Sequence, residues 1–327
     1  MLQKSLSLII TKKCTADCDI CCFSCSPHVE DKMPLEDALN YIDQASQIQQ
    51  FTAVGISGGE PFLYYNDLIE ILKRCKSLNL GFSCSTNSFW AATIDNTRLF
   101  LKQLTDIGSL TLNLSIDEFH SKYIPFQNIK NVLKVAKEFS NLSILLGCVC
   151  TKTSKKLHDI LEYLGDDIMG YYIASSPCLP VGNAETRIKP EDLFIFENSI
   201  DKKCSGLSHL VVMPDGSTYP CCYQGGFTPA LYLGSAKELP LTEIIKNFNG
   251  NMYCRTLENH GVKWFVDKIH ENNLPIKLKN GGYVGICDVC HTLFHDPEYL
   301  KYYEPFLDIE MYNIIQRELE KDAVMGG

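Results

Sequence analysis

Two periods alternate along the first half of the chain. Residues 5–10, 51–56, 80–85, 110–116, 142–149 and 169–174 are short apolar or β-type runs, which predict strands. Between them lie segments with apolar residues at helical spacing. The first is 34–48, where Leu35, Ala38, Leu39, Ile42 and Ala45 follow a Pro34 suited to a first helical turn; 66–77, 96–107, 129–139 and 154–164 are the others. Regular strand–helix alternation implies a parallel sheet with helices outside it. Six units fall short of the eight that close a barrel, so the expected fold is α/β, an open, partial (β/α)6 TIM-like barrel.

The alternation stops at residues 175–187, where Pro177, Pro180 and Gly182 crowd together. A hairpin is expected next, with strands over 210–213 and 217–219 around the turn Pro214-Asp215-Gly216. Helices are expected over 241–248, 262–271 and 309–321. We therefore divide the chain into a barrel over 1–190 and a small C-terminal α+β domain over 191–327.

Composition narrows the chemistry. The net charge of −9 argues against a nucleic-acid surface. The apolar stretch at 6–10, closed by Lys12 and Lys13, is too short for a signal peptide, and the apolar run at 142–150 is too short to span a bilayer. A cytoplasmic location without membrane contact is the expectation. In a reducing compartment, 16 cysteines among 327 residues point to metal or redox chemistry rather than disulfides.

Cys14, Cys18 and Cys21 form a C-x3-C-x2-C loop directly after the first strand, at the end where a βα fold holds its active site. Three thiolates can bind three irons of a [4Fe–4S] cluster and leave the fourth iron open. A structural zinc with Cys22, Cys25 or His28 as fourth ligand satisfies the same spacing. Gly58-Gly59-Glu60-Pro61 follows the second strand, Asn87 the third, and Ser115 and Asp117 close the fourth. Glycines let backbone approach a ligand closely, and a carboxylate beside them can pair with an ammonium.

In these features residues 5–187 resemble the radical S-adenosylmethionine (SAM) superfamily, with Ile20 standing where that family often has an aromatic residue. The resemblance implies that SAM chelates the open iron of the Cys14/Cys18/Cys21 cluster. It also implies that Glu60 and the Gly58–Gly59 backbone hold its amino group. Ser115 and Asn87 would contact ribose or nearby polar groups, Asp117 belongs to the same set of polar strand ends, and Arg187 is a candidate for the SAM carboxylate.

A second set of cysteines lies beyond the boundary: Cys204, the adjacent pair Cys221-Cys222, and Cys287-Asp288-Val289-Cys290. Four thiolates fully ligate a cluster, and they also suit a closed zinc site. On a strand, the neighbours Cys221 and Cys222 would point to opposite faces. This half resembles the SPASM or shortened twitch domains of peptide-modifying radical SAM enzymes.

The whole chain resembles radical SAM peptide epimerases of the YydG type. The likeness runs through Cys21-Cys22-Phe23-Ser24, Ser115-Ile116-Asp117-Glu118-Phe119-His120, Val181-Gly182-Asn183-Ala184, Tyr219-Pro220-Cys221-Cys222, Gly261-Val262-Lys263-Trp264-Phe265 and Ile286-Cys287-Asp288-Val289-Cys290. It implies an auxiliary [4Fe–4S] cluster on Cys204, Cys221, Cys287 and Cys290, with Cys222 as the hydrogen donor. Where that resemblance leads one to expect an acidic residue, the chain has Ser208-His209.

The implied reaction removes a Cα hydrogen from an L-residue of a ribosomally made precursor peptide, and Cys222 returns hydrogen from the other face. An external one-electron donor is the second implied partner. A thioether or carbon–carbon crosslinking enzyme is the alternative within the family, and a zinc- or cluster-binding electron-transfer protein the alternative outside it. Since the cysteine loop begins at residue 14, no leader-recognition domain is expected before it. Cys22, Cys25, Cys75, Cys84, Cys148, Cys150, Cys178 and Cys254 are expected to pack as small apolar residues. Trp264 and Phe265 are expected on a hydrophobic helix face.

Overall fold

The computed structural model describes residues 5–202, 204 and 207–325. Six strands alternate with helices as the pattern predicts. The strands are β1 (Ser5–Ile9), β2 (Ala53–Ser57), β3 (Gly81–Thr86), β4 (Leu110–Ser115), β5 (Leu142–Cys150) and β6 (Tyr172–Pro177). The helices between them are α1 (Leu35–Ser46), α2 (Tyr65–Ser77), α3 (Ile94–Ile107), α4 (Glu118–Ser121), α5 (Phe126–Ala136) and α6 (Leu157–Leu164). Each neighbouring pair in β1 to β6 is parallel, giving the open partial barrel.

Alternation along the strands sorts two faces. Leu6, Leu8, Val54, Ile56, Leu110, Leu112, Leu114, Ile144 and Leu146 are buried in one core with the apolar stripes of the helices. On the other face, one register row reads Ser7, Gly55, Ser83, Thr111 and Ser143. Closed barrels fill such layers with bulky branched side chains. Here the corresponding row carries small side chains instead.

The chain then makes α7 (Asn183–Arg187) and the hairpin of β7 (His209–Val212) and β8 (Thr218–Tyr219). The hairpin does not stand apart from the barrel. Strand β7 pairs parallel to β1, extending the sheet to the order β6-β5-β4-β3-β2-β1-β7-β8. That pairing covers an edge of β1 that would otherwise present unpaired backbone groups.

Helices α8 (Leu241–Gly250), α9 (Met252–His260), α10 (Val262–Asn272), α11 (Ile286–Phe294) and α12 (Pro297–Met325) complete the fold. The sequence pattern missed α9 and α11, and began α12 beyond Pro305, which the helix contains. Phe265 is fully buried, edge-on to Phe294 and Tyr303 at 4.8 and 5.1 Å, while Trp264 packs against it; the helix-face expectation holds. Among the described residues no helix is long and apolar enough to cross a membrane.

Candidate active site

The Cys14/Cys18/Cys21 loop leaves the C-terminal end of β1 and is clamped from two sides. On one side, Gly59 N–H donates to Thr11 O at 2.7 Å and Glu60 N–H to Lys13 O at 2.9 Å. A Cβ at Gly58, where φ is +149°, would stand 2.3 Å from Thr11 O, and one at Gly59 2.1 Å from Lys13 O. The glycine pair is therefore required first by the approach of the β2 turn to the strand leading into the cysteine loop. On the other side, Asn183 donates through its backbone to Cys21 O at 2.9 Å and through Nδ2 to Cys18 O at 3.0 Å. Gly182, at φ +61°, could not carry a Cβ without striking Cys22 O. Arg187, half-exposed, pairs with Asp17 Oδ1 at 2.8 Å, so its charge is directed at the cysteine loop.

Glu60 is fully buried at the end of β2. Its Oε1 accepts from Phe62 N–H at 3.1 Å and Thr86 Oγ1 at 2.9 Å, and its Oε2 from Asn87 N–H at 2.8 Å. All three donors are neutral, and burial pushes its pKa up to about 7. An ammonium group placed beside it would restore the charge that burial disfavours, which fits the amino group of SAM. Asn87 Oδ1 accepts from Phe89 N–H at 3.0 Å, and its Nδ2 donates to Thr15 Oγ1 at 2.9 Å and toward Cys14 Sγ at 3.7 Å.

Ser115 ends β4 on the same face as Thr111 and Asn113, half-buried beside Gly147 in the register. Asp117 is buried and caps α4: its Oδ1 accepts from His120 N–H at 3.0 Å and lies 2.8 Å from His120 Nδ1, and its Oδ2 accepts from Val149 N–H at 3.4 Å. Burial alone would lower the His120 pKa, but Asp117 and Cys18 hold it well above the ordinary histidine range. Within the loop, Cys14 and Cys18 are buried and Cys21 half-buried. Burial pushes the Cys14 thiol up to about 12, whereas the Cys25 thiol and backbone N–H, the latter 3.3 Å from Cys21 Sγ, draw Cys21 down. Donors aimed at sulfur suit thiolate ligands of a metal centre better than neutral thiols.

The second set comes together as one small cavity lined by Cys204, Cys221, Cys287 and Cys290, with Leu207 and Ile286 among its apolar walls. Cys287 and Cys290 lie on successive turns of α11. Between them Asp288, fully buried, accepts from Val284 N–H at 3.0 Å and from Lys279, fixing the helix start. Gly225 and Gly226 form a cradle: a Cβ on the first would stand 2.1 Å from Cys287 O, and on the second 2.9 Å from Cys221 Cβ. Burial pushes Cys287 up to about 12 and also raises Cys221 and Cys290, so these thiols release protons when they take a metal. Among the described residues, no three His, Cys, Asp or Glu side chains converge closely enough for a single ion. Four thiols around a cavity walled by a glycine pair fit a closed cluster.

Cys221 and Cys222 follow β8 in a loop rather than lying on it as expected, yet they face different surroundings. Cys221 lines the closed cavity. Cys222 packs with Ile9, Val211 and Met213, together with Phe23, Tyr219 and Phe227, at the ends of β1 and β7. Burial raises its pKa above the ordinary thiol value. A cavity of about 530 Å³ opens between the two cysteine centres, with Ile20, Cys22, Val149, Val181, Tyr223 and Cys287 in its walls.

The described strand ends thus bring together Cys14, Cys18, Cys21, Glu60 and Asn87, with Asp117 held behind His120. The expectations missed Asn183, His120 and the Gly225–Gly226 pair. The first two stood inside quoted motifs, but only their contacts with the cysteine loop give them roles. Cys75, Cys84, Cys148, Cys150 and Cys254 are buried in the main core, as the packing expectation has it.

Residues 8–164 match the family model of the radical SAM superfamily, and residues 204–291 that of the SPASM iron–sulfur cluster-binding domain. Over 322 residues the chain is 29% identical to YydG of Bacillus subtilis, whose name assigns it to peptide biosynthesis; the match covers 96% of this chain and 98% of that one. The solved structure of anSMEcpe with bound AdoMet and Cp18Cys peptide aligns at TM-score 0.55 and 16% identity, over 95% of this chain and 99% of that one. The same protein with AdoMet alone aligns at TM-score 0.54. These structural likenesses show a shared fold.

Proposed function

Because the chain belongs to the radical SAM superfamily and carries a SPASM domain, we propose that it epimerises L-residues to D-residues in a ribosomally made peptide. The likeness of nearly the whole chain to a protein named for peptide biosynthesis supports a peptide substrate. Cys14, Cys18 and Cys21 would hold the reactive [4Fe–4S] cluster, and Cys204, Cys221, Cys287 and Cys290 the auxiliary one. With SAM bound, the reactive centre supplies the means to remove a hydrogen atom from an unactivated carbon.

The chain's own residues do the rest. Glu60 holds the ammonium group of SAM, and Arg187 and Asn183 brace the cysteine loop. Cys222 gives its hydrogen atom to the substrate Cα from the face opposite to removal. One S–H bond breaks and one C–H bond forms, leaving an unpaired electron on Cys222 Sγ. An electron from the external donor and a proton from solvent restore the thiol. Burial favours Cys222 as the neutral thiol, the form that can give a hydrogen atom.

The observation that carries this reading is the division of an adjacent pair. Cys221 lines the closed cysteine cavity, while Cys222 sits with Ile9 and Phe23 beside the reactive loop. The test is anaerobic reconstitution with iron and sulfide, reduction, and incubation with SAM and the peptide encoded nearest this gene. Methionine and 5′-deoxyadenosine should form, and hydrolysis of the peptide should release a D-amino acid. SAM cleavage with peptide residues all of L configuration would overturn it.

A further inference from the structure

Asn87 is 4% exposed, and both its backbone and its side-chain amide bond within the protein. The backbone N–H goes to Glu60 Oε2, Oδ1 accepts from Phe89 N–H, and Nδ2 donates to Thr15 Oγ1 and toward Cys14 Sγ. Oδ1 is held by a backbone donor, so the amide presents its nitrogen, not its oxygen, to the sulfur. The contact bridges 73 residues of sequence, from the end of β3 to the first cysteine of the loop. Cys21 Sγ likewise receives the Cys25 N–H, at 3.3 Å.

We infer that Asn87 is a positioning residue for the reactive centre, whose Nδ2–H···Sγ bond to Cys14 raises the reduction potential of the cluster held there. Reduction adds one electron, and part of its charge falls on the ligand sulfurs. A donor aimed at such a sulfur stabilises the reduced state more than the oxidised one, and hydrogen bonds to sulfur are among the determinants of cluster potential. Asn87 also ties Cys14 to Glu60 through one residue, its side-chain amide meeting the sulfur and its backbone N–H the carboxylate. The proposed ligand of the metal and the proposed partner of the SAM ammonium are thereby held in one rigid unit. The inference rests on the reading that Cys14, Cys18 and Cys21 hold a cluster, and it is independent of how the peptide reaction ends.

The test is a redox titration of the reconstituted full-length protein without SAM, followed by electron paramagnetic resonance. The auxiliary cluster serves as the internal reference. Asn87→Ala removes the donor. Asn87→Asp keeps the shape but puts an acceptor and a negative charge beside Cys14. Thr15→Val removes the other partner of Nδ2 and leaves the sulfur bond in place.

Both Asn87 variants should shift the reactive cluster to more negative potential, Asn87→Asp further than Asn87→Ala, with the auxiliary cluster unmoved. Thr15→Val should match the unaltered protein. The midpoint is read on whatever fraction retains the cluster, so reduced iron content in a variant does not obscure it. Unshifted midpoints in both Asn87 variants would overturn the inference, as would an equal shift in Thr15→Val, which would mark a change in loop position alone. Absence of any reducible second cluster in the unaltered protein would instead overturn the cluster reading itself.

Discussion

Replacing Cys222 with alanine should leave SAM cleavage running and abolish the formation of D-residues. The side chain sits half-buried in a small apolar cluster, so alanine removes little beyond the S–H group. Loss of a few apolar contacts at a half-buried site costs about 1 kcal/mol. The substituted protein should keep both clusters and its iron content. Methionine and 5′-deoxyadenosine should still accumulate, while chiral analysis of the peptide hydrolysate should find L-residues only. Cys221→Ala should behave differently: it removes a wall of the closed cysteine cavity, so iron and sulfide fall by about one cluster's worth. If Cys222→Ala makes D-residues at the normal rate, Cys222 is not the donor. If it loses iron while Cys221→Ala keeps it, the two roles are exchanged.

The second large effect is on stability. Glu60→Leu should destabilise the fold by about 3 kcal/mol or more, because it strands the buried Phe62 and Asn87 N–H groups and a partner of Thr86, each worth about 1–3 kcal/mol when left unmet. Glu60→Gln keeps the shape and one acceptor oxygen and should lose less. The pH dependence gives a second readout, which distinguishes the unaltered protein from both variants. The folded pKa of Glu60, about 7, lies above its ordinary value of 4.5. Its contribution to stability is therefore fully present below about 4.5 and is lost as pH rises toward and through about 7. That part of the pH dependence should vanish in Glu60→Gln. Urea-unfolding midpoints across this pH range measure both effects. Glu60→Leu as stable as the unaltered protein would show that the β2 and β3 ends do not depend on this carboxylate.

Strong periodicity made the barrel legible. Each of β1 to β6 begins within about three residues of its expected start, because alternating or continuous apolar runs are bounded by turns and long amphipathic helices. The pairing of β7 with β1 was not legible. A four-residue strand carries no mark of its partner, and only the unpaired edge of an open barrel explains where it goes. Helix α11 was hidden because Cys287-Asp288-Val289-Cys290 was read for its metal-ligating spacing and given no secondary structure, although Asp288 at the third position is an ordinary helix-start acceptor.

At the site, cysteine spacing and polar strand ends were visible as residues but not as contacts. Asn87 read as a cofactor contact, and its bonds to Cys14, Thr15 and Phe89 were not visible from the sequence. Gly58 and Gly59 read as a place for ligand approach, and the close approach of Thr11 and Lys13 to them was not visible from the sequence. His120 drew no notice because its value lies in two partners, Asp117 and Cys18, that sequence distance keeps apart.

The most direct test of the account is the mass and configuration of peptide modified in D2O. Exchange places deuterium on Cys222 Sγ, and hydrogen return then carries it to Cα. The product should be one mass unit heavier, with the deuterium on a single residue of D configuration. A product lighter by two hydrogens, with residues joined and all of L configuration, would contradict epimerisation and establish crosslinking in its place.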